Sequence, residues 1–411
     1  MGQSLVALNA LNFFMADVRD GLGPFLGVFL QQNGWSPAHI GLVTTLGGLA
    51  GVAATTPLGM LVDTTSAKRA IVILSACAVI LACSLNYILP YFGITAAAQM
   101  ASGIAGAAIG PAIAAITLGL VRQKGFPRQL GRNEAYNHAG NAFAAILCGI
   151  LGYMFGLVAV FVLMGLMALG SIVATLWIDP NDIDNDAARG LKEQTGEAEE
   201  APSSFLVLLQ SKPLIVLALT LLLFHLANAA MLPILGQAMV ARGSAGDPSA
   251  YTAATVIIAQ MTMIPMALLA SRLAQTRGYW IVFVLALVAL PIRGLIAGTI
   301  VDQWVLVPVQ VLDGVGAGLL GVAVPGLVAR ILNGTGRINS GLAAVMTMQG
   351  VGAASSPALA GLIAEDIGYW AAFLAMGAIA AAALALWLLA TPIIGAACAG
   401  GDAPDEALAP A

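Results

Sequence analysis

Asp17, Arg19 and Asp20 fall within four residues at the centre of FFMADVRDGLGPFLGVF (13–29), a stretch that is apolar on both sides. A charge at the centre of a bilayer-spanning helix costs about 2.5–3.5 kcal/mol on insertion scales, so such residues pair, line an interior path or exchange protons. Asp17 and Asp20 are three apart and share a helix face, whereas Arg19 points elsewhere. Two carboxyls held close in a low dielectric repel when both are ionised, and one readily keeps a proton. That is the chemistry of a proton carrier. A buried ion pair that fastens one helix to a neighbour would use the same residues. Pro24 has no N–H, so the Asp20 carbonyl is expected to lack its helical partner, and Gly21 and Gly23 soften the same turn.

Four further groups of polar residues interrupt apolar sequence. His225 and Asn228 precede Pro233, and a histidine at this depth can titrate near neutral pH or simply hold a hydrogen bond. GRNEAYNHAGNAF (131–143) places Glu134, Asn137, His138 and Asn141 at three- and four-residue spacing, one polar stripe suited to a polar solute or to protons. Arg293 and Asp313 carry opposite charges on neighbouring runs and are expected to form a structural pair. Gln99 and Gln310 are candidates to line a solute path, with His138, Asn141, His225 and Asn228 as its other polar groups. The three histidines are scattered and no Cys/His/Asp spacing recurs, so no metal is expected. GxGxxG at a strand–helix turn, GxxxxGK[ST], HExxH and GxSxG are all missing, so neither enzymatic activity nor a cofactor is expected.

The elements that must position these groups are set by composition. Of 411 residues, 60% are hydrophobic and 9% charged, against about 25% charged in soluble proteins. Apolar runs recur at 5–32, 37–62, 68–89, 94–121, 132–155, 157–178, 213–238, 250–271, 279–300, 304–331, 338–363 and 369–392, each long enough to cross a bilayer as a helix. Cys77, Cys83 and Cys148 lie inside these runs and Cys398 beyond them, which is no disulfide framework. The N-terminal run has no basic flank and exceeds a signal peptide's core, so it reads as a retained helix. The polar stretch 179–204 holds eight of the 20 acidic residues and reads as a flexible cytoplasmic linker. The expected domains are residues 1–178, the linker 179–204, residues 205–392 and a tail, 393–411.

The two halves repeat. FFMADVRDGLGPFLG (13–27) aligns with LLFHLANAAMLPILG (222–236), matching Pro24 to Pro233 and Arg19 to Asn228. QMASGIAGAAIG (99–110) aligns with QVLDGVGAGLLG (310–321), matching Gln99 to Gln310 and Gly103 to Gly314, and GRN (131–133) corresponds to GRIN (336–339). Parallel repeats of six spans imply a solute path between the halves. With the N-terminus inside, 13 of the 16 basic residues fall in cytoplasmic loops, so both termini are placed in the cytoplasm.

The second span ends GMLVDTTSAKR (59–69), a glycine, an acid four residues on, then basic residues. This resembles the loop 2–3 signature of the major facilitator superfamily, and the six-plus-six repeat and acidic linker agree. The resemblance implies an all-α membrane protein of twelve transmembrane helices in two pseudo-symmetric six-helix bundles, covering nearly the whole chain. It assigns Asp63 to a conformational latch at the cytoplasmic gate, with Gly59, Lys68 and Arg69 beside it. Independently, the bend at Pro24 and the repeat against the seventh span make the first span the gating helix of the first half. Physically, Gly59 would permit close helix approach and Asp63 could accept from nearby cations. The second half departs from the pattern, because ALLASRLAQTRG (267–278) has basic residues but no equivalent acid, and the family's arginine in the fourth span is Gln99 here.

The expected activity is alternating-access transport of a small organic solute across a bacterial inner membrane by a monomer. Proton-coupled efflux is the first reading, with Asp17, Asp20 and Arg19 as the proton-coupling group. A proton-coupled importer of a polar or anionic metabolite uses the same parts, and a membrane sensor on a transporter fold is the reading of a different class. Protons, the solute and lipid are the expected partners, and nucleic acid is not among them.

Overall fold

Ser36 and Ser211 begin two long apolar helices in the same way. Each side chain accepts from a backbone N–H three residues on, His39 at 3.3 Å and Leu214 at 3.4 Å. A proline follows in the first two helical positions, where a missing N–H removes no bond. The computed structural model describes residues 2–19, 23–188, 209, 211–243, 247–300, 302–333 and 338–399, among which there is no strand. A helix satisfies its backbone polar groups internally, which a chain buried in hydrocarbon requires.

The helices are α1 (Gly2–Arg19), α2 (Pro24–Gln32), α3 (Pro37–Thr64), α4 (Lys68–Ile88), α5 (Phe92–Phe155), α6 (Leu157–Trp177), α7 (Asn185–Ala188), α8 (Lys212–Asn228), α9 (Met231–Ala241), α10 (Pro248–Thr276), α11 (Tyr279–Thr299), α12 (Leu306–Ile331), α13 (Ile338–Asp366), α14 (Tyr369–Leu389) and α15 (Thr391–Cys398). Among the described residues, 10 helical segments are long and apolar enough to cross a membrane. The interrupted pair α1–α2 and the more polar α13 complete the twelve transmembrane helices.

Two expected boundaries are corrected. Residues 122–131, read as a loop, are helical: α5 joins two spans, Phe92–Arg122 and Arg128–Phe155, across a kink at Arg122 (φ 54°, ψ 179°). The start of the linker is folded rather than flexible. Pro180–Asp182 forms a 3₁₀ turn and α7 follows it; Ile183 and Ala188 are buried, and the Asp184 N–H donates to the Gly119 carbonyl at 3.0 Å. Ser4 Oγ donates to Asp182 Oδ2 at 2.6 Å, and Arg122 pairs with Asp184 at 2.9 Å. Residues 189–204 of that linker lie outside the described residues.

Contacts divide the chain into two units, 1–197 with 239–254, and 198–238 with 255–411. In the first, α5 packs against α1, α3 and α4 around Leu8, Leu11, Val79, Ile109 and Ile116. In the second, α8 packs on α13 and α14, and α11 on α12 and α14, where the Phe283 and Trp387 rings stack with centroids 4.3 Å apart.

Lipid is as apolar as leucine, so packing rather than water exclusion joins these helices, and small residues make it possible. Both units use the same scheme. A Cβ on Gly51 would stand 2.9 Å from the Gly103 carbonyl oxygen, and one on Gly314, the repeat partner of Gly103, would stand 2.6 Å from the Ala259 carbonyl oxygen. A Cβ on Gly140 would overlap the Phe13 carbonyl oxygen, and one on Gly352 would overlap that of Leu222, the residue the repeat sets against Phe13.

Candidate functional site

Both units contain an interrupted membrane helix, next to Pro24 in one and Pro233 in the other, which the repeat sets against each other. α1 is described as far as Arg19, and α2 begins at Pro24, after Gly23 in the left-handed region (φ 47°), which glycine adopts without a steric penalty. α8 ends at Asn228 and α9 begins at Met231, with a turn between them. Pro233 cannot donate to the Ala229 carbonyl, which favours the second break. The Ala230 N–H is redirected to Ser356 Oγ on α13 at 2.9 Å. Gly352, one turn earlier on α13, permits the approach that brings Ser356 there.

At the second break, three helices bring charge together. Arg293 follows Pro291 on α11 and is fully buried; Asp313 on α12 has a side chain 13% exposed. Arg293 Nη1 lies 2.9 Å from Asp313 Oδ1. Asn228 bridges them: Arg293 Nη1 donates to its Oδ1 at 2.5 Å, and its Nδ2 donates to Asp313 Oδ1 at 3.2 Å. Among the described residues, Arg293 Nε and Nη2 have no partner. Gln310, one turn before Asp313, is fully buried with both amide atoms unpartnered. His225, one turn before Asn228, has Nδ1 2.9 Å from the Leu221 carbonyl oxygen. The Asp313 carboxylate is partly accessible, and among the described residues Arg293 and Gln310 keep hydrogen-bonding capacity in reserve.

The first unit carries a second polar cluster. Gln129 Nε2 donates to Asn9 Oδ1 at 2.9 Å and Asn133 Oδ1 at 3.0 Å, and Asn133 Nδ2 donates to Thr117 Oγ1 at 2.9 Å. Further along α5, Asn141 Nδ2 donates to Asn137 Oδ1 at 3.2 Å. Beside this network lies a cavity of about 70 Å³ whose polar lining is Asn12, Asn133, Glu134 and Asn137.

Sequence reasoning named only part of this. Asn9, Asn12, Thr117, Gln129 and Asn133 were missed. The signal for Gln129 and Asn133 is a run of carboxamides four residues apart, Gln129, Asn133, Asn137 and Asn141, which assigning 122–131 to a loop cut in two. Of the expected solute residues, His225, Asn228 and Gln310 lie in the second unit near the Arg293–Asp313 pair; Asn141 is half-buried on α5 and His138 is exposed. Gln99 is half-buried, its backbone carbonyl oxygen 2.8 Å from a Cβ on Gly47.

The side chains of Asp17, Arg19 and Asp63, and the whole of Asp20, lie outside the described residues. Around Asp63, the buried Lys68 donates to the Thr65 carbonyl at 2.8 Å. Arg69 donates to the carbonyls of Thr175 and Leu176 at 3.1 and 3.0 Å, capping the end of α6. Among the described residues a Cβ on Gly59 would meet nothing within 4 Å, and the close approaches of α3 lie at Gly47 and Gly51.

Two six-helix repeats, each with a broken helix and intramembrane polar residues, define a polytopic membrane protein built to carry a solute. The sequence matches the Major Facilitator Superfamily over residues 5–340, and the chain belongs to that family, whose members are membrane-embedded secondary transporters of small molecules. An uncharacterized MFS-type transporter of Mycobacterium tuberculosis, from strains CDC 1551 / Oshkosh and ATCC 25618 / H37Rv, is 42% identical over 390 residues, 94% of this chain and 92% of its own. Among solved structures, a mutant of the nucleoside transporter NupG superposes with TM-score 0.79 at 14% identity, over 94% of this chain and 99% of that one. A bacterial homologue of the human lysosomal transporter Spinster, inward-facing and unoccupied, gives 0.72 at 14% identity over 97% and 98%. At such identities these two likenesses speak to the fold alone.

Proposed function

We propose that the chain is a proton-coupled secondary transporter that exports a small organic solute by alternating access. The observation that supports this most is the Arg293–Asn228–Asp313 cluster at the break in the seventh span. A proton on Asp313 would cancel its charge, weaken its hold on Arg293 and Asn228, and free the end of α8 to move about the turn at 229–230. Asp17 or Asp20 would play the matching part at the break before Pro24, with Arg19 as partner. The basic residues favour an inner-membrane protein with both termini in the cytoplasm.

Import of an anionic metabolite is the second reading. It is favoured by the two unpartnered nitrogens of Arg293, because a guanidinium edge matches a carboxylate.

Purified protein in proteoliposomes with an imposed pH gradient and a panel of small organic solutes tests both. Export by exchange moves at least one solute against the proton flow; import moves it with the proton. Asp20→Asn is expected to abolish gradient-driven movement while the protein stays folded. Full gradient-driven transport by that variant would remove Asp20 from the mechanism.

A further inference from the structure

We infer that the cavity at the junction of α1 and α5 in the first unit is a binding site for a protonated amine. The inference rests on the transporter reading and names the solute's chemistry.

The cavity is enclosed by Asn12 and Met15 from α1 and by Ile109, Ile113, Glu134 and Asn137 among others from α5. Its volume, about 70 Å³, holds a few waters or one small head group. The hydrogen-bond inventory decides what that group is. Asn133 is tied into the wall, accepting from Gln129 and donating to Thr117. Asn12 spends its Nδ2 on the Leu8 carbonyl at 2.8 Å, which leaves Oδ1 as a free acceptor. Glu134 makes no hydrogen bond or ion pair with any described residue, so both carboxylate oxygens are free. Asn137 accepts from Asn141 and keeps its Nδ2 as a free donor.

Three free acceptor oxygens, two of them on the Glu134 carboxylate, therefore face a cavity that among the described residues is lined by no Lys, Arg or His side chain. The charged groups nearest in sequence do not supply the missing cation. Arg132 is exposed two residues before Glu134, on another helix face, and the exposed His138 does not line the cavity. An ammonium group has three donors, which match these three acceptors, and its charge answers that of Glu134; the free Asn137 Nδ2 would donate to an acceptor elsewhere on a larger amine. Met15, Ile109 and Ile113 provide apolar surface for the alkyl carbons attached to it. An anion would meet Glu134 with no counter-charge. The buried Asn9–Gln129–Asn133–Thr117 network fixes the α1 and α5 walls, so the site is held in shape before the amine arrives.

The test is thermal unfolding of the full chain in lipid nanodiscs, titrated with n-propylammonium chloride at ionic strength held constant with sodium chloride. A saturable rise in Tm is expected with propylammonium and not with sodium propionate. Glu134→Gln is expected to weaken the apparent affinity by about tenfold or more, through loss of a charge-assisted contact. Asn12→Leu, which removes the neutral acceptor, is expected to weaken it less, and Tyr136→Phe, at an exposed position outside the cavity, to leave it unchanged. Glu134 is exposed, so its variant should fold, and the Tm without ligand reports that directly. No rise beyond the sodium chloride control, an equal rise with propionate, or an unchanged affinity in Glu134→Gln would each overturn the inference. Binding is read without flux, so failure of the amine site and failure of proton-coupled transport are separate results.

Discussion

Arg293 and Asp313 meet at 2.9 Å across two helices, and the side chain of Asn228, the last residue of a broken third, bonds to both. The guanidinium is wholly desolvated and has a single carboxylate as counter-charge. Removing that carboxylate is therefore far worse than removing the pair. Asp313→Leu should destabilise the protein by about 3–5 kcal/mol, while Arg293→Met with Asp313→Leu should return to within about 1 kcal/mol of the parent. Chemical denaturation in detergent measures both. Equal stability of the single and double variants would mean that the pair does not compensate the buried charge.

Glycine packing gives a sharper contrast. A Cβ on Gly140 would overlap the Phe13 carbonyl, whereas one on Gly59 would meet open space. Backbone is the obstacle at Gly140, so no side-chain rotation relieves it. Gly140→Ala should cost about 1–3 kcal/mol, the range for overpacking, and Gly352→Ala should behave alike. Gly59→Ala should be neutral or stabilising by up to about 1 kcal/mol, the helix propensity of alanine over glycine. Thermal unfolding of the three variants decides this.

That contrast also marks what the sequence makes legible. The twelve spans follow from apolar length, and the breaks before Pro24 and Pro233 follow from the missing proline N–H. Arg293 and Asp313 draw attention because charge is costly in hydrocarbon. Carboxamides carry no charge, so Asn9, Asn12 and Gln129 do not stand out, and the reading of Asn228 as a cavity group does not include its bridging role. Which of many glycines touches a neighbour depends on helix rotation, which span counting leaves open. For that reason Gly59 was expected at a close approach that belongs to Gly47 and Gly51.

Arg69 holds the last turn of α6 through the carbonyls of Thr175 and Leu176. These are among the last four carbonyls of the helix, which lack an N–H four residues on inside it; the Ile178 N–H reaches Thr175 at 3.3 Å and Arg69 adds to it, and a cation there also suits the helix dipole. Arg69→Gln should lower stability by about 1 kcal/mol, and Arg69→Lys by less, because lysine keeps the charge without the planar fork. A thermal melt in the same detergent ranks the two variants; equal melting of parent and Arg69→Gln would show the cap to be idle.

Cys398 sits near the end of α15, beyond the last span, and burial pushes its thiol up to about 12 against an ordinary value of 9.0, with Arg330 pulling weakly the other way. A folded-state value above the unfolded one means the folded state binds the extra proton between them. This thiol's share of stability is thus complete below about pH 9 and declines as pH rises toward 12. At pH 8, iodoacetamide should modify Cys398 slowly in the folded protein and rapidly in denaturant, as read by peptide mapping. Equal rates would place the thiol in solvent.

Proton coupling is the centre of the functional account, and one measurement addresses it directly. Proteoliposomes containing the protein and a pH-sensitive dye are loaded with a solute that stabilises it, and solute and proton movement are followed together across an imposed gradient. The account predicts opposite movement of solute and protons, with gradient-driven solute flux lost when a protonophore collapses the gradient. Solute movement at one rate with and without the gradient, and no accompanying change in internal pH, would contradict it.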